Sequence, residues 1–327
     1  MDATAKPFNA GFAMLEDYLD TSIYPASLNV SGPHKLADAV ARLEIPPDMH
    51  MLTFEDEGII HAFPMRLVLC YNVIQSTNVE KGWFLSFCNA CNTGMVFDPV
   101  MDGKPLHFRR RGAYDGMLLV WDAETQSYWQ HITGECLHGT SAGKKLRLIT
   151  ATRHMTSAEV LAQCPDARFY TSPLTPDQER LTLLMEKMRA NPGRVAEGIA
   201  STIQTEDSRR PRFELGLGVW NGRSSKFFPL PVIAGHDNVI ITEFSGRRML
   251  IYHQLDSMSP VAVYVEANKA SWNREALRLD NGDWIKDNQY HTVDGGLRPL
   301  DSPLQMLMRW YGFASTFPGC EVMADTK

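Results

Sequence analysis

The chain has 327 residues, 44% of them hydrophobic and 21% charged, with a formal net charge of −6 and a pI near 5.9. That length holds two cores or one large one, and the composition is that of a globular protein rather than a disordered one. The acidic balance excludes the dense Lys/Arg surface that non-specific nucleic-acid binding requires; the densest basic run, Arg109-Arg110-Arg111, reads as a solvated strand edge or turn.

The N-terminal stretch "MDATAKPFNAGFAMLEDYLD" has an early Asp and no apolar h-region, so it does not read as a secretory signal. No stretch reaches the roughly 18 apolar residues of a membrane span. A cytoplasmic protein with no membrane partner is expected. "SGPHKLADAVARLE", 31 to 44, predicts a short helix with Leu36, Val40 and Leu43 on one face, stopped by Pro46-Pro47. From about 58 to 150 the chain turns to short apolar runs broken by Gly, Asn and Asp: "RLVLCYNVI", "GWFLSF", "GMVFD", "GMLLVWD" and "KKLRLI". Their length and content predict a meandering sheet. "TSAEVLAQCPD", 156 to 166, predicts another short helix.

The clearest helix follows in "TPDQERLTLLMEKMRA": Thr175 as N-cap, Pro176 in the first turn and Gln178 completing a capping box. Leu181, Leu184, Met185 and Met188 form its apolar stripe, and Asn191-Pro192-Gly193 ends it. A polar connector runs to 212, and strand-like runs resume with "FELGLGVW", "NVIITEF", "RRMLIYH" and "PVAVYVE". The predicted organisation is an extension over 1–50, a β-rich half over 51–172, a helical connector over 173–212 and a second β-rich half over 213–327. The predicted fold class is α+β, mainly β.

The second half echoes the first. Displaced by 165 residues, "HAFPMRLVLCYNVIQSTNVEKGWFLSFC" falls on "KFFPLPVIAGHDNVIITEFSGRRMLIYH" without a gap, so that Phe63-Pro64 meets Phe228-Pro229. Both halves close alike, with a Gly-containing turn, a helix-like run and a Pro-containing tail. On this alignment Cys88 corresponds to His253, Tyr71 to His236 and Cys91 to Asp256. All six are residue types that ligate metals or carry protons.

These segments resemble a family of bacterial proteins known mainly as a domain of unknown function. The family pattern runs R-A-Y-P, H-E-x-x-N-D, T-Y-C-P-L-C-x-T-A and Y-D-x-x-T-x-S-x-W-x-Q-x-x-G-x-A-x-x-G. Here it is matched by His61-Ala62-Phe63-Pro64, by Cys70 to Ser76, by Ser86 to Gly94, and by "WDAETQSYWQHITGECLHG" from 121 to 139. In the last segment Asp122, Thr125, Ser127, Trp129, Gln130, Gly134 and Gly139 fall in register. The chain departs from the family at Tyr71, where a His is usual, at Asn89-Ala90 in place of Pro-Leu, and in its additional His131. The resemblance implies an architecture and a suspect site, without a reaction.

Cys88 and Cys91 carry the chemistry. A C-x-x-C turn lets two thiolates converge on one ion, and its backbone N–H groups lower thiol pKa values. Three readings stay open: a metal site, a redox dithiol, and two buried structural thiols. The six cysteines, at 70, 88, 91, 136, 164 and 320, are too sparse for a disulfide framework. Asn92 stands where covalent c-type haem would need a histidine. For a metal, His236 and His253 are the expected partners of Cys88 and Cys91, brought from the other half of the duplication. Such mixed ligation suits zinc or copper, with iron as a further choice, whereas Mg²⁺ and Ca²⁺ prefer oxygen. Tyr71 and His131 are the catalytic candidates, His131 as a replacement for the histidine lost at 71. His61, His138 and Cys136 are weaker. Trp121, Tyr128 and Trp129 read as sheet packing, and Asp122-x-x-Thr125-x-Ser127 as a turn bonded to its own backbone.

No nucleophile elbow, phosphate loop, dinucleotide fingerprint or H-E-x-x-H helix is present; "ELGLGVW" contains G-x-G but continues as a strand. The expected function is a metal-dependent enzyme, an oxidoreductase on a small-molecule substrate, with its site between two related halves in a chain that could form a homo-oligomer. The rivals are a structural zinc site and a thiol redox protein.

Overall fold

In His50–Asp56 and Ile59–Pro64 apolar side chains fill one long buried hairpin, with Met51 opposite Pro64. Glu57 and Gly58, at φ 50 and 79, make the two-residue turn whose twist matches the strands. The computed structural model describes residues 11–14, 20, 22–42, 45–77, 82–190 and 197–325. Leu43, the stop at 191–193 and most of the first 20 residues lie outside that set.

Pro64 redirects the chain into the helix Met65–Tyr71, which Asn72 ends at φ 57 before the strand Val73–Ser76. The run from Arg66 to Ile74 is therefore a helix and a strand, not the single strand its composition predicted. Six of the seven helical residues are buried, and a segment apolar on every side carries no period to separate the two structures. Phe84–Cys88 and Thr93–Phe97 continue an antiparallel sheet, Leu148–Ala151 extends it, and Arg153–Thr156 returns to His50–Asp56. Thr156 and Glu159 form the capping box of the helix Ser157–Gln163. Arg168–Phe169 then lies parallel to Ile59–Pro64.

The second half repeats this path. Leu215–Trp220 and Ser225–Pro229 pair with Gly216 opposite Pro229, each partner 165 residues beyond the Met51–Pro64 pair. The helix Leu230–Gly235 and the strands Val239–Phe244, Arg247–Tyr252 and Val261–Tyr264 follow. Leu304–Arg309 returns to Leu215–Trp220 as Arg153–Thr156 returns to His50–Asp56. The helix Trp310–Thr316 follows it, and Glu321–Val322 runs parallel to Ser225–Pro229. Each half also carries an inserted meander. One contains Phe108–Tyr114, Met117–Asp122, Tyr128–Gln130 and Cys136–His138; the other runs from Ala270–Asn273 to Leu297–Arg298. The architecture is mainly β, as expected.

The two halves share a core in which Cys88, Cys91 and Trp129 meet Phe227, Trp310 and Phe313. Burying each of the large aromatic side chains contributes roughly 1.5–3 kcal/mol, so the cysteine turn sits at a strongly held junction. The strand Leu304–Arg309 packs against Thr93–Phe97, Leu148–Ala151 and Arg153–Thr156.

The connecting helix Pro176–Ala190 begins with the expected reciprocal box: Thr175 N–H donates to Gln178 Oε1, and Gln178 N–H to Thr175 Oγ1. Its inward face is rotated from the predicted stripe. Gln178 and Thr182 are buried, Leu181, Met185 and Met188 are half-buried, and Leu184 is 55% exposed. The face through 178, 182, 185 and 189 packs on the helix Met65–Tyr71, and its end reaches the cysteine turn, where Asn89 meets Met185 and Arg189 bonds Asn92. No helix among the described residues is long and apolar enough to cross a membrane.

Candidate functional site

The strand Phe84–Cys88 delivers Cys88 to a tight turn, where Asn92 N–H donates to Cys88 O at 2.9 Å and Thr93 pairs opposite Cys88. Asn92 takes φ 65, a left-handed conformation that Asn tolerates better than most side chains. Cys91 N–H points back at Cys88 Sγ, 3.3 Å away.

His131 arrives from the first meander. Asp122 anchors that strand by accepting Trp129 Nε1–H at 2.8 Å, as well as Thr125 N–H and Oγ1–H at 2.6 Å each. Gln130 Oε1 accepts the N–H groups of Ile132 and Thr133, both at 2.6 Å, and closes the turn that holds His131. His131 Nε2 lies 3.6 Å from Cys91 Sγ. The ligand atoms of Cys88, Cys91 and His131 all fall within 4.8 Å of one another, so the three residues could hold a metal ion. They are 4%, 0% and 1% exposed, and no cysteine is in a disulfide.

Burial opposes ionisation of Cys88. Hydrogen bonds from Cys91 and His131, the His131 charge and the Cys91 N–H overcome it and hold the Cys88 thiol well below its usual range. Cys91 goes the other way: burial pushes it up, and the neighbouring Cys88 raises it further. One thiolate beside one thiol is the arrangement the pair favours without an ion.

The structure does not bring the other predicted ligands to this group. His236 Nδ1 bonds Val232 O at 2.8 Å at the end of its own helix, and His253 Nε2 bonds Ser257 O at 3.3 Å in its own loop. Among the described residues neither joins the sulfurs, nor does Asp256. Equivalent positions of the duplication are equivalent strand ends in separate sheets. The halves meet through Leu304–Arg309 and the helix after it, so Cys88 and His253 do not face one another. Tyr71 packs in a separate core with its hydroxyl on Ser172. His61 bonds Tyr170 and stacks on Phe54, and burial lowers it to about 4. Cys136 bonds His138 O, and burial pushes its thiol up to about 11.

What the second half does supply was not expected. Arg309 N–H donates to Cys91 O at 2.9 Å. Gly312 lies against Cys91; a Cβ there would stand 3.1 Å from the cysteine Cβ. Tyr311 donates to Gly116 O at 2.8 Å, and burial, with Cys88 and Cys91 nearby, pushes its hydroxyl well above the usual phenol range. On the far side Asn89 links to Asn72, which accepts from the Tyr24 hydroxyl. Arg110 is not solvated as the basic run suggested. It is buried over the Tyr24 ring at 3.4 Å and donates to Tyr24 O.

A directed chain of hydrogen bonds runs beside the turn. Arg189 Nη2–H donates to His50 Nδ1 at 3.0 Å, which leaves His50 Nε2–H to donate to His154 Nδ1 at 2.9 Å. His154 Nε2–H then reaches Asn92 O at 3.2 Å. A guanidinium can only donate and a carbonyl only accept, so both imidazoles are neutral with fixed tautomers. Burial, first of all, lowers His50 to about 2 and His154 to about 3, with His154 and Arg189 adding to the first and Arg189 to the second. An unfolded histidine titrates near 6.5. Below that pH the unfolded chain binds protons the folded one refuses. Stability is therefore flat with respect to these groups above about pH 6.5 and falls as pH drops toward 3, by at most about 1.4 kcal/mol per pH unit per histidine. Urea unfolding of the protein and of His154→Gln between about pH 7.5 and pH 5 checks this; the variant should show the shallower acid loss.

A family model described as a protein of unknown function (DUF3179) matches residues 31–318. No curated protein and no solved structure matches the chain.

Proposed function

We propose that this chain, which belongs to the DUF3179 family of proteins of unknown function, is a metal-dependent enzyme with Cys88, Cys91 and His131 as its ligands. The observation that carries the reading is the convergence of three buried ligand atoms within 4.8 Å, with no fourth Cys, His, Asp or Glu among the described residues. Structural zinc sites close with four protein ligands; three protein ligands leave a coordination position for water or substrate. Two thiolates and an imidazole suit zinc or copper, with iron as a further choice.

A bound ion would supply Lewis acidity or, if redox-active, electron transfer at that open position. The chain's own groups set the rest. Cys91 N–H and the low Cys88 pKa keep a thiolate ready, and the Gln130 turn holds the backbone that carries His131. Met308 and Gly312 close the apolar wall beside Cys91. Zinc has no redox chemistry of its own, so an oxidoreductase built on zinc needs a separate hydride or electron acceptor, whereas copper or iron can itself change oxidation state.

One observation favours a second reading. The Cys91 N–H donated to Cys88 Sγ is also how a two-residue dithiol turn stabilises an attacking thiolate. Metal analysis with intact-mass measurement, on protein purified without chelator, separates the two. The metal reading predicts about one ion per chain and free thiols. A metal-free chain with a reducible Cys88–Cys91 bond contradicts it and supports the dithiol.

A further inference from the structure

We propose that Arg189 and Arg309 form a binding site for a small oxyanion, carboxylate or tetrahedral, beside the cysteine turn. Arg309 is 3% exposed. Its Nη2–H donates to Arg189 O at 3.0 Å, while its Nη1 is buried with no partner. Arg189 spends Nη1 on Asn92 Oδ1 and Nη2 on His50, both at 3.0 Å, and its Nε is also buried without a partner. A third unpartnered buried donor, Thr93 Oγ1, belongs to the residue after Asn92. The two arginines are joined through Arg189 O, and both are tied to the cysteine turn, Arg189 by its guanidinium on Asn92 and Arg309 by its backbone N–H on Cys91 O.

Every acceptor that the two guanidiniums have found is neutral. Among the described residues no carboxylate hydrogen-bonds or ion-pairs with either one. Glu186, the acid that bears on Arg189, is engaged at 3.5 Å by Arg66. A buried and a half-buried cation side by side, with no carboxylate bonded to either and only the cysteine sulfurs as nearby negative charge, repel each other and leave part of their desolvation uncompensated. Arg110 shows what the fold does with a buried guanidinium that has no ligand to meet: it is stacked on Tyr24 and bonded to Tyr24 O and Asn72. Arg309 also lies over a ring, that of Phe213 at 5.6 Å, but it and Arg189 each keep a buried donor without a partner. An oxyanion supplies the missing charge and several acceptors at once, in the planar geometry that guanidinium groups match. The site does not require that the cysteine group hold a metal.

The test is thermal unfolding of the protein, before and after chelation, in sodium chloride against sulfate, phosphate or acetate at equal ionic strength. The expected result is a saturable rise of a few degrees at millimolar probe that survives chelation. Its half-saturation concentration should move up at least about tenfold in Arg189→Gln and in Arg309→Lys, as a lost charge-assisted bond predicts. A response to sulfate or phosphate alone assigns a tetrahedral ligand, and a response to acetate alone a carboxylate. Curves identical to chloride, an undiminished response in the variants, or a response abolished by chelation each overturn the proposal. If Arg309→Lys does not fold, Arg189→Gln, next to the end of its helix, decides.

Discussion

Cys88→Ser and His131→Ala should each weaken zinc binding by at least about a hundredfold in competition with a chromogenic chelator, while His236→Ala and His253→Ala leave it unchanged. Removing one of three ligands costs more than the 10–100-fold that follows loss of a group behind a ligand. The contrast between the pairs follows from placement. His131 Nε2 stands 3.6 Å from Cys91 Sγ, whereas His236 and His253 bond carbonyls of their own loops. Equal loss in all four variants would restore the ligand set expected from the duplication. Circular dichroism guards against global unfolding, since Cys88 and His131 are both buried.

Trp310→Ala should lower unfolding stability by about 3–5 kcal/mol, the usual cost of truncating a fully buried Trp. Trp310 has no exposed surface, packs on Phe227 at 5.1 Å between ring centres, and donates Nε1–H to Asp207 O at 2.7 Å. The Arg209 guanidinium lies over its ring at 5.3 Å. The residue also stands between Arg309 and Tyr311, which border the cysteine turn, so its loss loosens the junction where the halves meet. Urea denaturation measures the effect; Trp310→Phe, which keeps most of the packing and loses only the indole N–H, should cost distinctly less. A change below about 1 kcal/mol, in the range of ordinary surface substitutions, would mean that this junction does not hold the halves together.

The duplication was legible because a hairpin's register is a sequence property: Met51–Pro64 and Gly216–Pro229 occupy the same places in both halves. The capping box at Thr175, the short helix after Thr156 and the Asp122–Thr125 turn were also legible, since each rests on local contacts between residues a few positions apart. The helix Met65–Tyr71 was not, because a segment buried on all sides has no polar face to betray its period.

At the site, the C-x-x-C turn announced Cys88 and Cys91, and His131 stood out as an addition to the family pattern. Their meeting did not follow from the spacing; it depends on how the first meander folds across the turn. Placing His236 and His253 with them failed because equivalence within a repeat fixes topology and does not make equivalent positions face each other. Arg189 and Arg309 gave no signal. A basic residue in the last turn of a helix ordinarily reads as a solvated partner of the helix dipole, and Arg309 ends a strand where a surface charge is common. Only the tertiary packing shows that Arg309 is buried and that Arg189, half-buried, has its Nε withdrawn from water.

X-ray absorption at the edge of the metal that co-purifies with the protein tests the central claim most directly. Two sulfur scatterers at about 2.3 Å, one imidazole nitrogen near 2.0 Å and one further light atom, with the imidazole signal lost in His131→Ala, are the predicted result. No stoichiometric metal, or a shell that keeps its imidazole in that variant, would contradict it.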